Sequence, residues 1–144
     1  MSEWVLLLGG STGHGAATAK RLAQDGFGII AFHFDRGDAK KIAEETIAEV
    51  NDITKGNCHY FNTNAASEES MDKYIPKINE ITNGKPLKLL LHSIAFGTTT
   101  NFFGEKPVTQ RQMDMTVHVM GNSLLYWTQK LHQAKLLSRG SRII

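Results

Sequence analysis

The chain has 144 residues, 41% of them apolar and 21% charged, with 16 basic against 14 acidic side chains and a formal net charge of +2. That length supports one domain with a sizeable core rather than two. The small basic excess is spread along the sequence, which excludes the concentrated positive face that nucleic-acid binding requires. A single cysteine, Cys58, excludes an intrachain disulfide, and no apolar run approaches the ~20 residues of a membrane span, so a cytoplasmic, unexported protein is expected.

Taken in chain order, Trp4 to Leu8 is an apolar run of strand length that ends in Gly9-Gly10-Ser11-Thr12-Gly13-His14-Gly15. A helix is predicted from about Gly15 to Gln24, with Ala16, Ala19, Leu22 and Ala23 inward and Asp25-Gly26 as its stop. Gly28 to Phe34 suits a buried parallel strand. Asp38 is placed as the cap of a second helix carrying Ile42, Thr46, Ile47 and Val50, closed at Lys55-Gly56. Cys58 to Asn62 is the third strand, and Ser67 caps a third helix with Met71, Tyr74, Ile75 and Ile78 on one face. Pro76 is expected to kink or split that helix, because it lacks an N–H and its ring crowds the preceding turn.

After the Asn83-Gly84-Lys85-Pro86 turn, Leu87 to Leu91 reads as a fourth strand, followed by a Thr- and Phe-rich loop from about Phe96 to Lys106. Thr109 and Gln112 have capping-box spacing and open one long helix, with Met113, Val117, Met120, Leu124, Trp127 and Leu131 as its inward stripe. Ser141-Arg142-Ile143-Ile144 reads as half of a fifth strand. Alternating strands and helices without a linker predict an α/β, Rossmann-like, doubly wound parallel sheet in the order 3-2-1-4-5, truncated in its fifth strand. Residues 1–144 are read as one dinucleotide-binding domain, the N-terminal part of a longer one.

Glycines between a strand and a helix let the backbone turn sharply and approach a pyrophosphate, whose charge meets the helix N-terminus. A Walker A loop is excluded because Ala16 follows Gly15 where lysine is needed, and no three of these glycines have G-x-G-x-x-G spacing. Gly9 to Gly13 does match G-x-S-x-G, the nucleophile elbow, with Ser11 as the nucleophile. Only eight residues precede Gly9, so no earlier loop is available for oxyanion donors, and the acid and histidine, Asp114 and His132, fall on or near one helix. An ordinary strand-turn-helix joint that binds nothing is the plainest alternative.

The remaining spacing, G-x-x-x-G-x-G at Gly9, Gly13 and Gly15, resembles the short-chain dehydrogenase/reductase family over essentially the whole chain. Asn64-Ala65 falls where that family has an Asp-Val or Asn-Val pair against adenine, and Leu90-Leu91-His92-Ser93-Ile94-Ala95 where most members have Leu-Val-Asn-Asn-Ala-Gly. The His-Ser-Ile-Ala-Phe variant is similar to the enoyl-acyl-carrier-protein reductase branch, which implies Ser93, Ile94 and Ala95 along the cofactor and Phe96 at the start of the substrate side. The resemblance implies cofactor contacts from Gly9, Ser11, Thr12, Gly13, His14, Phe34, Asp35, Arg36, Asn64, Ala65, Ser93, Ile94 and Ala95. Where NAD-preferring members place an acid this chain has His33. Asp35 and Arg36 lie just beyond, and Arg36 tips the expectation toward NADP over NAD, since a guanidinium suits a 2′-phosphate. A surface Asp35–Arg36 pair of no consequence is the alternative.

Phe96, Phe102 and Phe103 either contact an acyl chain or pack beneath their own loop. His118 falls where the family often keeps a water-holding Asn, and is read as a surface or interface histidine. Gly121, Leu125 and Tyr126, with Met120 at the boundary, lie off the main inward stripe, so helix 109–137 is apolar on two faces, and resembling members pair this helix in homodimers or homotetramers. The family's Tyr-x-x-x-Lys pair, with the tyrosine as proton donor, follows the fifth strand. The one match in letters, Tyr126 to Lys130, precedes that strand and is read as coincidence. No catalytic or metal-binding residue is therefore assigned. The implied activity is hydride transfer to an enoyl thioester or small carbonyl, and a non-catalytic dinucleotide-binding module is the alternative.

Overall fold

A computed structural model describes residues 2–144. Five strands, β1 (Trp4–Leu8), β2 (Gly28–His33), β3 (Cys58–Asn62), β4 (Leu89–His92) and β5 (Arg142–Ile143), form one parallel sheet in the order β3-β2-β1-β4-β5. The central strands are apolar up to His33 and His92 at the ends of β2 and β4, because helices cover both faces. On one face Leu6, Leu8, Ile30, Phe32 and Leu90 pack with Met71, Ile78, Trp127 and Leu131. On the other, Val5, Leu7, Ile29 and Ala31 pack with Ala19, Ala23 and Val50. Phe32 lies at the centre of an aromatic group, its ring 5.1 Å from Trp127, 5.2 Å from Tyr74 and 5.3 Å from Phe61.

The helices are α1 (Gly13–Gln24), α2 (Asp38–Thr54), α3 (Glu68–Thr82), α4 (Gln110–Val117) and α5 (Ser123–Gln133), with a π-turn, His118–Asn122, joining the last two. Gly15 is required by close approach, since a Cβ there would stand 1.7 Å from the Gly9 carbonyl oxygen. This contact folds the first turn of α1 back on the end of β1.

Several local expectations are corrected. Strand β2 stops at His33, leaving Phe34 exposed outside the sheet, and β4 is shifted to Leu89–His92. Helix α1 begins at Gly13, two residues earlier than expected, and its Leu22 is only half-buried. Gly37, not Asp38, caps α2, and the buried face of that helix runs through Ala43, Thr46 and Val50 while Ile42 is exposed. Residues 42 and 43 both have helical spacing to Thr46, so periodicity alone does not choose between them. Helix α3 runs unbroken through Pro76, because Met71 and Ile78 are buried on either side and Ser67 caps its start.

The largest correction concerns the expected single long helix. It holds a π-turn and ends at Gln133, and its inward face is Thr116, Val119, Ser123, Trp127 and Leu131. Met113, Val117 and Met120 face solvent instead. A π-turn spends one extra residue per turn, so a stripe counted at the α-helical period lands one position away on its N-terminal side.

Candidate functional site

The carboxyl ends of β1, β2 and β4 open into one cleft of about 570 Å³, at the switch point where the chain leaves β1 for β2 on one side and meets β4 on the other. Every residue assigned to the cofactor from the sequence lines it: Gly9, Ser11, Thr12, Gly13, His14, Phe34, Asp35, Arg36, Asn64, Ala65, Ser93, Ile94 and Ala95. Phe32, His33, Thr63, Phe96 and Val119 complete the wall. Val119 has no signal in the sequence, because the π-turn aims it. His33 was singled out in the sequence as standing where an acid is expected at the end of the second strand.

One end of the cleft is a helix N-terminus. Helix α1 has no side-chain cap from Thr12 and no acid in its first turn. Helices α3 and α4, by contrast, are capped by Ser67 and by a Thr109–Gln112 box. The open N–H groups of the first turn of α1 are thus left beside Gly9, Ser11 and Thr12, a donor set suited to a pyrophosphate. The loop itself is fixed from behind. Gly9 and Gly10 both donate to the Phe32 carbonyl, at 2.9 and 3.0 Å, and a Cβ on Gly9 would meet the Ser93 carbonyl oxygen at 2.3 Å.

At the end of β2 three side chains meet. Ser11 Oγ donates to Asp35 Oδ2 at 2.5 Å, and His33 Nδ1 lies 2.8 Å from the same oxygen. Asn62 Nδ2 holds the Asp35 carbonyl at 3.1 Å. Asp35 is therefore not half of an idle surface pair. Arg36 stacks on Phe34, 4.6 Å from the ring centre, and both line the cleft beside Asp35. Since a carboxylate only accepts, Ser11 and His33 both donate to it, and the Ser11 proton goes to Asp35 rather than to an imidazole. That orientation is the wrong one for a nucleophilic serine, so the elbow reading of Ser11 finds no support.

The loop after β3, residues 64–66, is held by the helical segment that follows β4. Trp127 Nε1 donates to the Ala65 carbonyl at 2.7 Å, and His118 Nε2 lies 2.9 Å from the Ala66 carbonyl. His118 is thus a clasp on the β3–α3 loop rather than a surface histidine. Asn64 Oδ1 accepts from the Ala66 N–H at 3.0 Å and shapes the same turn. Below the other wall, His92 Nε2 meets Ser123 Oγ at 2.7 Å while Ser123 donates to the Val119 carbonyl at 2.8 Å. Ser123 has spent its proton, so His92 must donate from Nε2, and burial pushes its pKa down.

Thr116 receives the Thr98 N–H at 3.0 Å, tying the loop after β4 to α4. Phe96, Phe102 and Phe103 are all exposed, so they do not pack beneath that loop. Tyr126 and Lys130 line a separate groove between α3 and α5 with Glu68 and His118, and Lys130 is ion-paired with Asp72 at 2.5 Å and Glu68 at 3.5 Å. Neither lines the main cleft. Tyr60, half-buried on β3, donates to the Gly10 carbonyl, and burial drives its pKa upward. Among the described residues no His/Cys/Asp/Glu group is placed to hold a metal, and no helix is long and apolar enough to cross a membrane.

The sequence profile of the short chain dehydrogenase family matches residues 3–144. The chain belongs to that family. A short-chain dehydrogenase/reductase variant from Serratia marcescens superimposes with a TM-score of 0.78 at 21% identity, over 98% of this chain and 53% of its own. A 3-oxoacyl-[acyl-carrier protein] reductase from Brucella melitensis, solved in complex with NAD, gives 0.75 at 18% identity over 94% and 50%. The putative carbonyl reductase Sniffer of Caenorhabditis elegans gives 0.69 at 20% identity over 93% and 54%. This short-chain dehydrogenase chain thus spans about half the length of these solved relatives, which share its fold. No curated protein sequence matches it significantly.

Proposed function

We propose that this chain is the dinucleotide-binding portion of an NAD(P)-dependent oxidoreductase, and that the cleft at the carboxyl ends of β1, β2 and β4 is its cofactor site. The observation that carries the reading is the uncapped, acid-free N-terminus of α1 opening beside Gly9, Ser11 and Thr12 into that cleft. The residues present fit the group. The α1 amides would hold the pyrophosphate, Asp35 and Arg36 would meet the adenine ribose, and Asn64 and Ala65 would border the adenine. Ser93, Ile94 and Ala95 would border the nicotinamide. The nicotinamide supplies the hydride; the chain's own residues bind, orient and exclude water. Trp127 and His118 keep Ala65 and Ala66 in place, and the His92–Ser123 bond keeps Val119 on the wall opposite the loop.

The substrate class we favour is an enoyl thioester, with a small carbonyl compound as the alternative. The support is His92-Ser93-Ile94-Ala95-Phe96 after β4, together with the exposed Phe96, Phe102 and Phe103 on the loop leading away from the cleft. The named similar proteins, a carbonyl reductase and a 3-oxoacyl-carrier-protein reductase, act on carbonyl substrates. A cytoplasmic setting and self-association through residues 109–137 belong to the same reading. A second reading is a binding module without chemistry, for which the support is that Tyr126 and Lys130, the Tyr-x-x-x-Lys match in this sequence, line the separate groove and not the cleft. Calorimetric titration of the chain with NADH and NADPH tests the shared claim. Saturable one-site binding that is lost in Thr12→Asp, which places a carboxylate at the α1 terminus, is expected. Absence of binding to either dinucleotide sinks both readings.

A further inference from the structure

We propose that Thr116 is a positioning residue for the nicotinamide half of the dinucleotide: it anchors the segment that leaves β4 and so sets Ala95 and Phe96 on the cleft wall. This rests on the cofactor reading above and deepens it.

Little else holds that segment. Its near end is fixed by Ser93, whose N–H donates to the Leu8 carbonyl at 2.7 Å. Among the described residues no hydrogen bond reaches Ile94, Ala95, Phe96 or Gly97. Ile94 packs against the core, but Ala95 and Phe96 are exposed, and Phe96 leaves 59% of its surface in solvent while lining the cleft. A ring with so few packing neighbours is placed by its backbone. The next tie along the chain is Thr98, whose N–H donates to Thr116 Oγ1 at 3.0 Å.

Thr116 meets the segment with both of its γ groups. Its hydroxyl proton goes to the Gln112 carbonyl at 2.8 Å, one turn back, which fixes the rotamer and leaves a lone pair facing Thr98. Gln112 is itself held by its box with Thr109. On the methyl side, a Cβ on Gly97 would stand 2.5 Å from Thr116 Cγ2. Gly97 does not have a positive φ, so glycine serves close approach to Thr116 here and not an unusual backbone conformation.

The same helical stretch carries the rest of this end of the cleft. One turn on, Val119 lines the wall, while His118 Nε2 lies 2.9 Å from the Ala66 carbonyl and Trp127 Nε1 donates to the Ala65 carbonyl at 2.7 Å. Residues 116–127 therefore fix two walls relative to one another, the 64–66 loop through His118 and Trp127 and the 95–98 segment through Thr116. Only the Thr116 tie acts on the segment assigned to the nicotinamide. Releasing it should cost affinity for ligands that carry the nicotinamide and spare those that do not.

The test compares NADH with ADP-ribose, which keeps the adenine, both riboses and the pyrophosphate but lacks the nicotinamide. Dissociation constants are measured by calorimetry on the full chain and on Thr116→Val, Thr116→Ser and Gly97→Ala, with amide hydrogen exchange followed over residues 94–99. Thr116→Val keeps the shape of the side chain and removes the acceptor. It should weaken NADH roughly three- to tenfold, leave ADP-ribose within about twofold, and speed exchange at Thr98. Thr116→Ser keeps the hydroxyl and should stay within about twofold of wild type for both ligands. Gly97→Ala pushes the segment off Thr116 from the other side and should reproduce the Thr116→Val pattern. An unchanged NADH affinity in Thr116→Val overturns the proposal. So does an equal loss for NADH and ADP-ribose, which a merely structural role would give. Should Thr116→Val fail to fold, the same ratio in Gly97→Ala decides. Absence of binding of both ligands to the wild-type chain would remove the cofactor reading itself. Binding of both at a ratio insensitive to Thr116 and Gly97 would remove only this inference.

Discussion

Gly15 has no room for a side chain, since the Gly9 carbonyl oxygen occupies the place its Cβ would take, 1.7 Å away. Both atoms belong to backbone, so relief requires moving β1 relative to α1. Gly15→Ala should cost more than about 3 kcal/mol, read as a lower urea midpoint, and a variant within about 0.5 kcal/mol of wild type would contradict this packing. His92 makes a pH prediction at the same scale. Burial lowers its folded pKa below the ordinary value of 6.5, so as pH falls through that value the unfolded chain takes up the proton first. Stability is thus fully present above about pH 6.5 and declines below it. His59, also pushed down by burial, adds to the decline with the same sign. The melting temperature should fall between pH 7.5 and 5.5, and His92→Asn should fall less steeply. An equally steep curve would mean that His92 does not carry the effect.

At the scale of elements, the junction of α4 and α5 matters most. Val119, Ser123, Trp127 and Leu131 are all buried at four-residue spacing, Val119 within the π-turn and the other three along α5. Ser123 is fully buried, and its hydroxyl is the only partner of His92 Nε2 among the described bonds. Ser123→Ala leaves that donor unpaired and should cost about 1–3 kcal/mol, seen as a shift in urea midpoint at constant slope. Trp127→Phe keeps most of the apolar packing but loses the bond to the Ala65 carbonyl. We expect a similar cost there, together with weaker dinucleotide binding, because Ala65 forms part of the cleft wall. Unchanged affinity in a folded Trp127→Phe chain would show that the clasp serves stability alone.

At the scale of the whole molecule, residues 109–137 carry six exposed large apolar or aromatic side chains. They are Met113, Met115, Val117, Met120, Leu125 and Tyr126. An apolar face of this kind on a protein with so little net charge favours burial against a second copy, and a twofold arrangement would let the same face serve both chains. Sedimentation velocity should show a species heavier than the 16.0 kDa monomer, and Met120→Lys combined with Leu125→Glu should return it to monomer. A wild-type monomer at high micromolar concentration would exclude this face as a self-association surface.

Much of this molecule is local in origin and was legible in the sequence. Strands Trp4–Leu8 and Cys58–Asn62 were read with their observed bounds, the Ser67 cap and the Thr109–Gln112 box were visible as short-range patterns, and the strand order followed from alternating elements. The Gly-rich turn was equally readable, because a sharp strand-to-helix joint has few residue types that fit it. What separates these from the rest is distance along the chain. Ser11 and Asp35 are 24 residues apart, His118 and Ala66 are 52, and Trp127 and Ala65 are 62. Which polar groups meet across such separations depends on strand register and helix rotation, and neither follows from propensity. The π-turn shows this most directly: one extra residue in a turn moved the buried stripe from Met120 to Val119 and turned an expected core residue toward solvent. The sequence by itself determined most of the elements, their order and the Gly-rich strand-to-helix turn. The tertiary structure decided which side chains face the cleft and what holds Asp35, because those depend on packing between elements rather than within them.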